Sequence, residues 1–135
     1  MASGVSFWRN LAPHFLSLLR LLAGLLLLEF GTMKILHFPP AEYFSGIAPF
    51  SLIWFAGLLE LVGGALLVVG LFTRCAAFVL SGEMAFAYFI EHAPGGLYPA
   101  LNGGLPAVLF CFVFLYLSAA GGGPWSLDRM VRRGG

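Results

Sequence analysis

Four long apolar runs, separated by glycine and proline, restrict what this chain can fold into. They cover residues of about 14–36, 51–71, 73–92 and 106–120, and each approaches the ~20 residues that a helix needs to cross a hydrocarbon core of ~30 Å. Hydrophobic residues make up 60% of the 135 residues and charged residues 10%, whereas soluble domains are roughly half apolar and one quarter charged. We therefore predict an all-α integral membrane protein.

The connections between the runs predict how the helices are arranged. Only the short Gly70–Arg74 segment joins the second run to the third, so these two helices should be antiparallel neighbours. We predict one domain over residues 1–135, a four-helix bundle with up-down-up-down topology. The net charge of +1 leaves no basic face for nucleic acid.

Basic residues gather at the end of the predicted bundle that holds both termini. The positive-inside rule then places both termini in the cytoplasm and the chain, as a multi-pass protein, in the inner or plasma membrane. The residues that carry this argument are Arg9, Arg74, Arg129, Arg132 and Arg133.

Four ionisable residues lie inside the apolar runs: Arg20, Glu29, Glu60 and Glu83. A charge near the centre of a membrane helix costs about 2.5–3.5 kcal/mol on insertion scales, so such residues are paired, protonated or exposed to a wet cavity. They are the candidates for ligand binding or proton handling. No catalytic residue is assigned from the sequence.

Helical phase places two of these side chains in the bundle interior. At 100° per residue Arg20 shares a face with Gly24, and Glu60 shares one with Gly64. Small residues beside a polar one let helices approach closely and bury it. We expect Arg20 to reach towards the midplane and to form one cluster with Glu60 and Glu83. A purely structural role, in which the charges fix helix register, is an open alternative.

The balance of charge within the hydrocarbon core of the membrane predicts a protonated carboxyl group. Lys34 lies at the outer end of the first run, too far out to serve the midplane, so one guanidinium faces the three carboxylates of Glu29, Glu60 and Glu83. We expect at least one of them to be protonated at neutral pH and to donate a hydrogen bond to a carbonyl such as a quinone oxygen.

Glu29 is about 180° from Arg20 around the helix axis. It should therefore contact another neighbour or a second copy of the chain. We predict a homo-oligomer, and specifically a dimer, because dimers are the commonest homo-oligomers.

The outer ends of the helices supply a second group of candidates, which are Lys34, His37, His92 and Asn102. The loop of residues 93–104 is rich in proline and glycine and should not form regular helix, with Asn102 capping the helix that follows. This loop either roofs the outer mouth of a cavity or is a plain turn back into the membrane. Histidines in wet loops rarely ligate a metal, and no metal centre is predicted.

Short motifs follow one another through almost the whole chain. They are Arg20 and Gly24, Phe30-Gly31-Thr32-Met33-Lys34, His37-Phe38-Pro39, Leu59-Glu60-Leu61-Val62-Gly63-Gly64, Gly70-Leu71-Phe72-Thr73-Arg74, Ser81-Gly82-Glu83-Met84-Ala85, His92-Ala93-Pro94, Asn102-Gly103-Gly104, Phe112-Val113-Phe114-Leu115-Tyr116 and Gly123-Pro124-Trp125-Ser126-Leu127-Asp128. Taken in this order they resemble the DoxX family of membrane proteins. One departure is Leu105, because relatives often carry an acidic or polar residue there.

The resemblance implies a four-helix membrane protein with a link to redox chemistry, since the family takes its name from an association with a thiosulfate:quinone oxidoreductase. The chain itself contains no flavin, nicotinamide, haem-attachment or iron–sulfur motif. The cofactor is therefore unknown, with quinone as the candidate, and any electrons must come from a redox partner protein. Whether the chain is an enzyme stays open; if it is catalytic, it is an oxidoreductase subunit.

Three functions are compatible with the sequence. The favoured one is a redox-linked membrane subunit whose Arg20, Glu60 and Glu83 bind quinone and manage its protons. The second is a carrier or binding module for a small hydrophobic or sulfur-containing molecule. The third is a scaffold of a membrane complex, in which the charges have only a structural role.

Overall fold

The computed structural model describes the backbone of residues 2–134 and the side chains of residues 4–132, so the side chain of Arg133 lies outside the described part. All regular elements in residues 2–134 are helical, which confirms the all-α prediction. The α-helices are α1 (Ala2–Ile35), α2 (Leu52–Val69), α3 (Thr73–Ala87), α4 (Pro99–Asn102), α5 (Leu105–Ala120) and α6 (Leu127–Gly134). Shorter elements are a π-helical turn, Tyr88–His92, and two 3₁₀ turns, Glu42–Phe44 and Ala93–Gly95.

Two helices of the described chain are long and apolar enough to cross a membrane, namely Gly4–Ile35 and Leu52–Val69. Helix α5 is apolar but shorter. Helix α3 stops as an α-helix at Ala87, and the π turn Tyr88–His92 carries it outwards.

Helices α1 and α2 pack closely because glycines remove the side chains between them. A Cβ atom placed on Gly31 would lie 2.6 Å from the amide nitrogen of Leu61, and one on Gly64 would lie 2.8 Å from that of Leu28. Residue numbers rise along α1 while they fall along α2 at these contacts, so the two helices are antiparallel. Such close approach is typical of small residues at membrane helix interfaces.

Helices α3 and α5 form a second antiparallel pair. The Ser81 hydroxyl donates a 2.7 Å hydrogen bond to the Cys111 carbonyl, and the Tyr88 ring packs against Gly104 further out. The buried core joins both pairs; its largest fully buried side chains are Leu27, Leu67, Leu80, Phe114 and Leu117.

Three parts of the chain differ from the sequence expectation. The first helix begins at Ala2 and passes through Pro13, and α4 is a one-turn helix inside the loop predicted to be irregular. Helix α6 was not predicted. It begins after Ser126, whose hydroxyl accepts a 3.2 Å hydrogen bond from the Arg129 N–H in the way an N-cap residue does.

Candidate functional site

A buried ion pair joins α1 to α2. The Lys34 ammonium lies 2.9 Å from both carboxylate oxygens of Glu60, and the two side chains are only 14% and 3% exposed. Phe44, in the loop between these helices, places its ring 5.3 Å from the ammonium, a cation–π arrangement. The loop that contains Phe44 thus covers the outer side of this ion pair.

The Glu83 carboxyl group adjoins that of Glu60. Both of its oxygens are buried, and neither has a hydrogen-bond partner among the described residues. We call Lys34, Glu60 and Glu83 the carboxyl site. It contains one cation for two carboxyl groups, and a buried polar group without a partner costs about 1–3 kcal/mol, more if it is charged.

A proton on Glu83 would resolve this imbalance. Two ionised carboxylates can only accept hydrogen bonds, whereas a protonated carboxyl group can donate one. Glu83 is the member that Lys34 does not contact directly, since the ammonium bonds to both oxygens of Glu60. The arrangement therefore favours an ionised Glu60 and a protonated Glu83, whose O–H is available to Glu60 or to a bound molecule.

Arg20 does not belong to this site. The predicted cluster of Arg20 with Glu60 and Glu83 is wrong, because the cation that bonds to Glu60 is Lys34. The buried guanidinium donates hydrogen bonds to the carbonyl oxygens of Gly122, at 2.6 Å, and Trp125, at 2.9 Å. The expectation that Lys34 lies too far out to reach a deep carboxylate is also wrong, because its ammonium bonds to Glu60.

Side-chain direction explains both corrections. In an α-helix the Cα–Cβ bond tilts towards the N-terminus. On α1 this tilt points Lys34 back into the membrane and points Arg20 away from it, towards the end where Gly70 packs beside the guanidinium. Gly70 and Glu60 are ten residues apart in sequence, about 15 Å at a helical rise, so Arg20 and Glu60 lie at different depths.

Comparison with known proteins places the chain in a family. The family model for DoxX matches residues 15–93, more than half of the sequence. The chain belongs to the DoxX family. It is also similar to an uncharacterized protein of Haemophilus influenzae (strain ATCC 51907 / DSM 11121 / KW20 / Rd), with 42% identity over 120 residues, 86% of this chain and 90% of the relative. No solved structure matches.

The family match confirms the resemblance found in the sequence and, together with the apolar helices, identifies this DoxX protein as a membrane protein. The matched residues 15–93 include Arg20 and all three members of the carboxyl site. They do not include α5 or the segment that follows it. The partners of Arg20 therefore lie outside the matched range, while those of Lys34 lie inside it.

That C-terminal segment is fastened to α1 by two polar side chains. The Ser17 hydroxyl donates to the Gly122 carbonyl at 3.0 Å and accepts from the Trp125 N–H at 3.1 Å, and Arg20 donates to the same two residues' carbonyl groups. We call Ser17, Arg20 and Gly121–Ser126 the C-terminal clamp. Its polar groups are bonded mainly to backbone, which is typical of a structural rather than a ligand-binding arrangement.

Asp128 extends this attachment to the start of α3. Its two carboxylate oxygens accept hydrogen bonds from the N–H groups of Phe72, at 2.7 Å, and Thr73, at 2.9 Å. Burial alone would raise the pKa of Asp128, but the N–H donors of Thr73 and Phe72 and the charge of Arg132 outweigh it and hold the pKa below its ordinary value. The carboxylate thus caps a helix that begins far away in the sequence.

The remaining candidates are separate from the carboxyl site. Glu29 is exposed on the surface of α1, and His37 is exposed beyond the end of that helix. His92 lies 3.3 Å from the Asn102 carbonyl, and the Asn102 side chain donates to the Gly96 carbonyl at 2.9 Å. Among the described residues no three His, Cys, Asp or Glu side chains converge on a common point.

Asn102 organises the outer loop in a different way from the predicted cap. Its side-chain oxygen accepts a 2.8 Å bond from the Gly104 N–H, but α5 has no side-chain cap. Its amide nitrogen also lies 3.3 Å from the Tyr88 hydroxyl. Leu105 follows as the first residue of α5 and is 48% exposed. These contacts link the loop to the π turn of Tyr88–His92.

Sequence reasoning missed the roles of Lys34, Ser17 and Asp128. A usable signal existed for Lys34, because a lysine at the C-terminal end of a membrane helix tilts its side chain back along the helix. No local signal existed for Asp128, because its partners are more than fifty residues away in sequence.

Proposed function

We propose that this DoxX protein is a redox-linked membrane subunit that binds a small quinone-like molecule beside Glu83. The observation that carries the proposal is the Glu83 carboxyl group, buried with both oxygens lacking a partner next to the Lys34–Glu60 ion pair. A carbonyl oxygen of a membrane-soluble molecule would accept the hydrogen bond that a protonated Glu83 can donate.

Aromatic side chains lie near the same depth. Ser81 bonds to the Cys111 carbonyl, so Phe110 on α5 is within about one helical turn of Glu83 in height. The Phe110 ring stacks on Phe114 with centroids 5.4 Å apart and meets Phe30 of α1 edge to face at 6.4 Å. A flat ring could pack against such a surface while its oxygen faces the carboxyl site.

Quinone reduction requires two electrons and two protons. The electrons come from an electron-donating partner protein, because the chain has no redox motif of its own. Glu83 would give one proton to a quinone oxygen, and Lys34 would stabilise the negative charge that remains on the carboxyl pair. The second proton would come from water, which would also reprotonate Glu83. This division assigns proton handling to the chain and electron supply to its partner.

The placement in the membrane is part of the proposal. Arg9, Arg74, Arg129 and Arg132 lie at the end opposite Lys34, and the positive-inside rule assigns that end, with both termini, to the cytoplasm of an inner or plasma membrane. The carboxyl site then lies towards the outer face, beneath the loop that contains Phe44.

A second copy of the chain completes the proposed arrangement. Glu29 is exposed on α1, where the surrounding surface is apolar and would face lipid. A carboxyl group facing lipid is costly, and contact between two copies would cover it. Cross-linking in native membranes tests this directly, and detection of monomer alone would contradict it.

The main test replaces Glu83 in two ways. Glu83→Leu removes the donor but also removes an unpartnered buried polar group, so the variant should fold at least as well as the parent protein. Glu83→Gln keeps a donor and loses the exchangeable acid proton. After purification in a mild detergent, organic extracts should contain quinone for the parent and Glu83→Gln, and little for Glu83→Leu. Glu91→Gln, at an exposed outer carboxylate, is the matched control.

Other outcomes decide between the remaining functions. A different amphiphile in the extract, lost in Glu83→Leu, would favour a carrier or binding module. Protein partners at fixed stoichiometry, with no organic molecule that depends on Glu83, would favour a scaffold. A folded Glu83→Leu that retains quinone would show that the molecule binds elsewhere.

A further inference from the structure

The basic end of the molecule carries a concave surface that the carboxyl site does not use. A cavity of about 140 Å³ opens between Gly121–Gly123 and the first turn of α6, and an adjoining cavity of about 250 Å³ extends to Thr73. Arg74 and Arg132 line both cavities, and Arg129 lines the first. Three guanidinium groups therefore face one small region of the surface.

Arg74 is oriented by the end of α5. Its Nη1 donates to the carbonyl groups of Ser118 and Ala119, which carry partial negative charge at a helix C-terminus. The rest of the guanidinium lies against Gly121, where a Cβ atom would be 3.2 Å from Nη2. The missing side chain leaves this edge of the guanidinium open to the cavity.

Asp128 is the one carboxylate among the described residues that line the two cavities. Both of its oxygens already accept backbone hydrogen bonds from Phe72 and Thr73. Its charge is committed to the start of α3, which leaves the concavity with a net positive charge and free guanidinium donors.

The position of the concavity favours a lipid over a soluble anion. Helix α6 exposes Met130 and Val131, each 65% exposed, on the face opposite Arg129 and Arg132. Apolar and basic side chains on one short helix are typical of the boundary between hydrocarbon and water. We propose that the concavity binds the phosphate group of an anionic phospholipid, which guanidinium groups bind in bidentate fashion, while the opposite, apolar face of α6 contacts the hydrocarbon.

The test measures lipid binding by native mass spectrometry of the full chain in a mild detergent. Dioleoylphosphatidylglycerol should bind in preference to dioleoylphosphatidylcholine. The double substitution Arg129→Gln/Arg132→Gln should weaken phosphatidylglycerol binding about tenfold or more and leave phosphatidylcholine binding unchanged. Both arginines are exposed, so the thermal unfolding temperature should change little. Arg74 is left intact because it also holds α5.

Arg9→Gln is the matched control, since Arg9 is an exposed basic residue of α1 that lines neither cavity. An equal loss of lipid binding in Arg9→Gln, or none in the double variant, would overturn the proposal. Displacement of phosphatidylglycerol by millimolar inorganic phosphate would assign the site to a soluble phosphate and overturn its lipid part. None of these outcomes depends on quinone binding at Glu83.

Discussion

The carboxyl site and the C-terminal clamp both contain a buried cation from α1, yet they satisfy charge in different ways. In the clamp, Arg20 bonds to two backbone carbonyl groups and not to a carboxylate. In the carboxyl site, Lys34 bonds to Glu60 while Glu83 remains without a partner. Among the described residues of the clamp, the Nε of Arg20 is the one buried polar side-chain atom without a hydrogen-bond partner, whereas both oxygens of Glu83 have none. We therefore assign a structural role to the clamp and ligand chemistry to the carboxyl site.

This difference also separates two kinds of buried charge. Neutral carbonyl groups cannot change protonation, so the clamp should behave alike over a wide pH range. Two adjoining carboxyl groups can share one proton, so the carboxyl site should respond to pH and to a ligand that bonds there. Polar atoms that remain without a hydrogen-bond partner therefore indicate whether a buried charge in a membrane helix has a structural role or is available to a ligand.

The largest expected effect is that of Arg20→Ala. Hydrogen bonds to charged groups contribute roughly 1.5–3 kcal/mol each, so loss of two should destabilise the protein by about 3–6 kcal/mol and release the segment Gly121–Ser126. Thermal unfolding in detergent measures the loss. Adding Glu60→Gln should not restore stability, because the two residues lie at different depths and their effects should add. Rescue by Glu60→Gln would place Arg20 in the carboxyl site after all.

Lys34→Met should have a smaller effect, about 2–3 kcal/mol. Removing one partner of a buried pair leaves an uncompensated charge at about 3–5 kcal/mol, and the partial exposure of the ammonium reduces this cost. Here Glu60→Gln should restore most of the lost stability in the double variant, in contrast to Arg20→Ala. If the double variant were no more stable than Lys34→Met, the Lys34–Glu60 ion pair would not contribute to stability.

Asp128→Ala should have the smallest effect, about 1 kcal/mol, the usual contribution of a helix cap. Folding lowers the pKa of Asp128, so its stabilising contribution is fully present above the unfolded value of about 3.9 and is lost as the pH falls through the folded value. The difference in unfolding temperature between parent and variant should thus be constant near neutral pH and shrink below about pH 4. A difference that persists in acid would point to a role other than capping by the carboxylate.

Much of the helical architecture could be predicted because its causes are local. Long apolar runs identified the membrane helices, and glycines near Arg20 and Glu60 marked the faces that pack. Helix α6 was missed because it is short and mostly exposed, although Ser126 is a typical N-cap residue. The one-turn helix Pro99–Asn102 was missed because glycine and proline dominate its surroundings.

The sequence by itself determined that the chain is helical, that it belongs in a membrane and that Glu60 and Glu83 are buried in it, because hydropathy and helical period are properties of neighbouring residues. Only the tertiary structure decided which cation meets which carboxylate. That choice depends on the register set by the glycine contacts between α1 and α2 and on the tilt of each side chain towards its helix N-terminus. The register brings Lys34 to Glu60 and takes Arg20 to the carbonyl groups of a segment more than a hundred residues away.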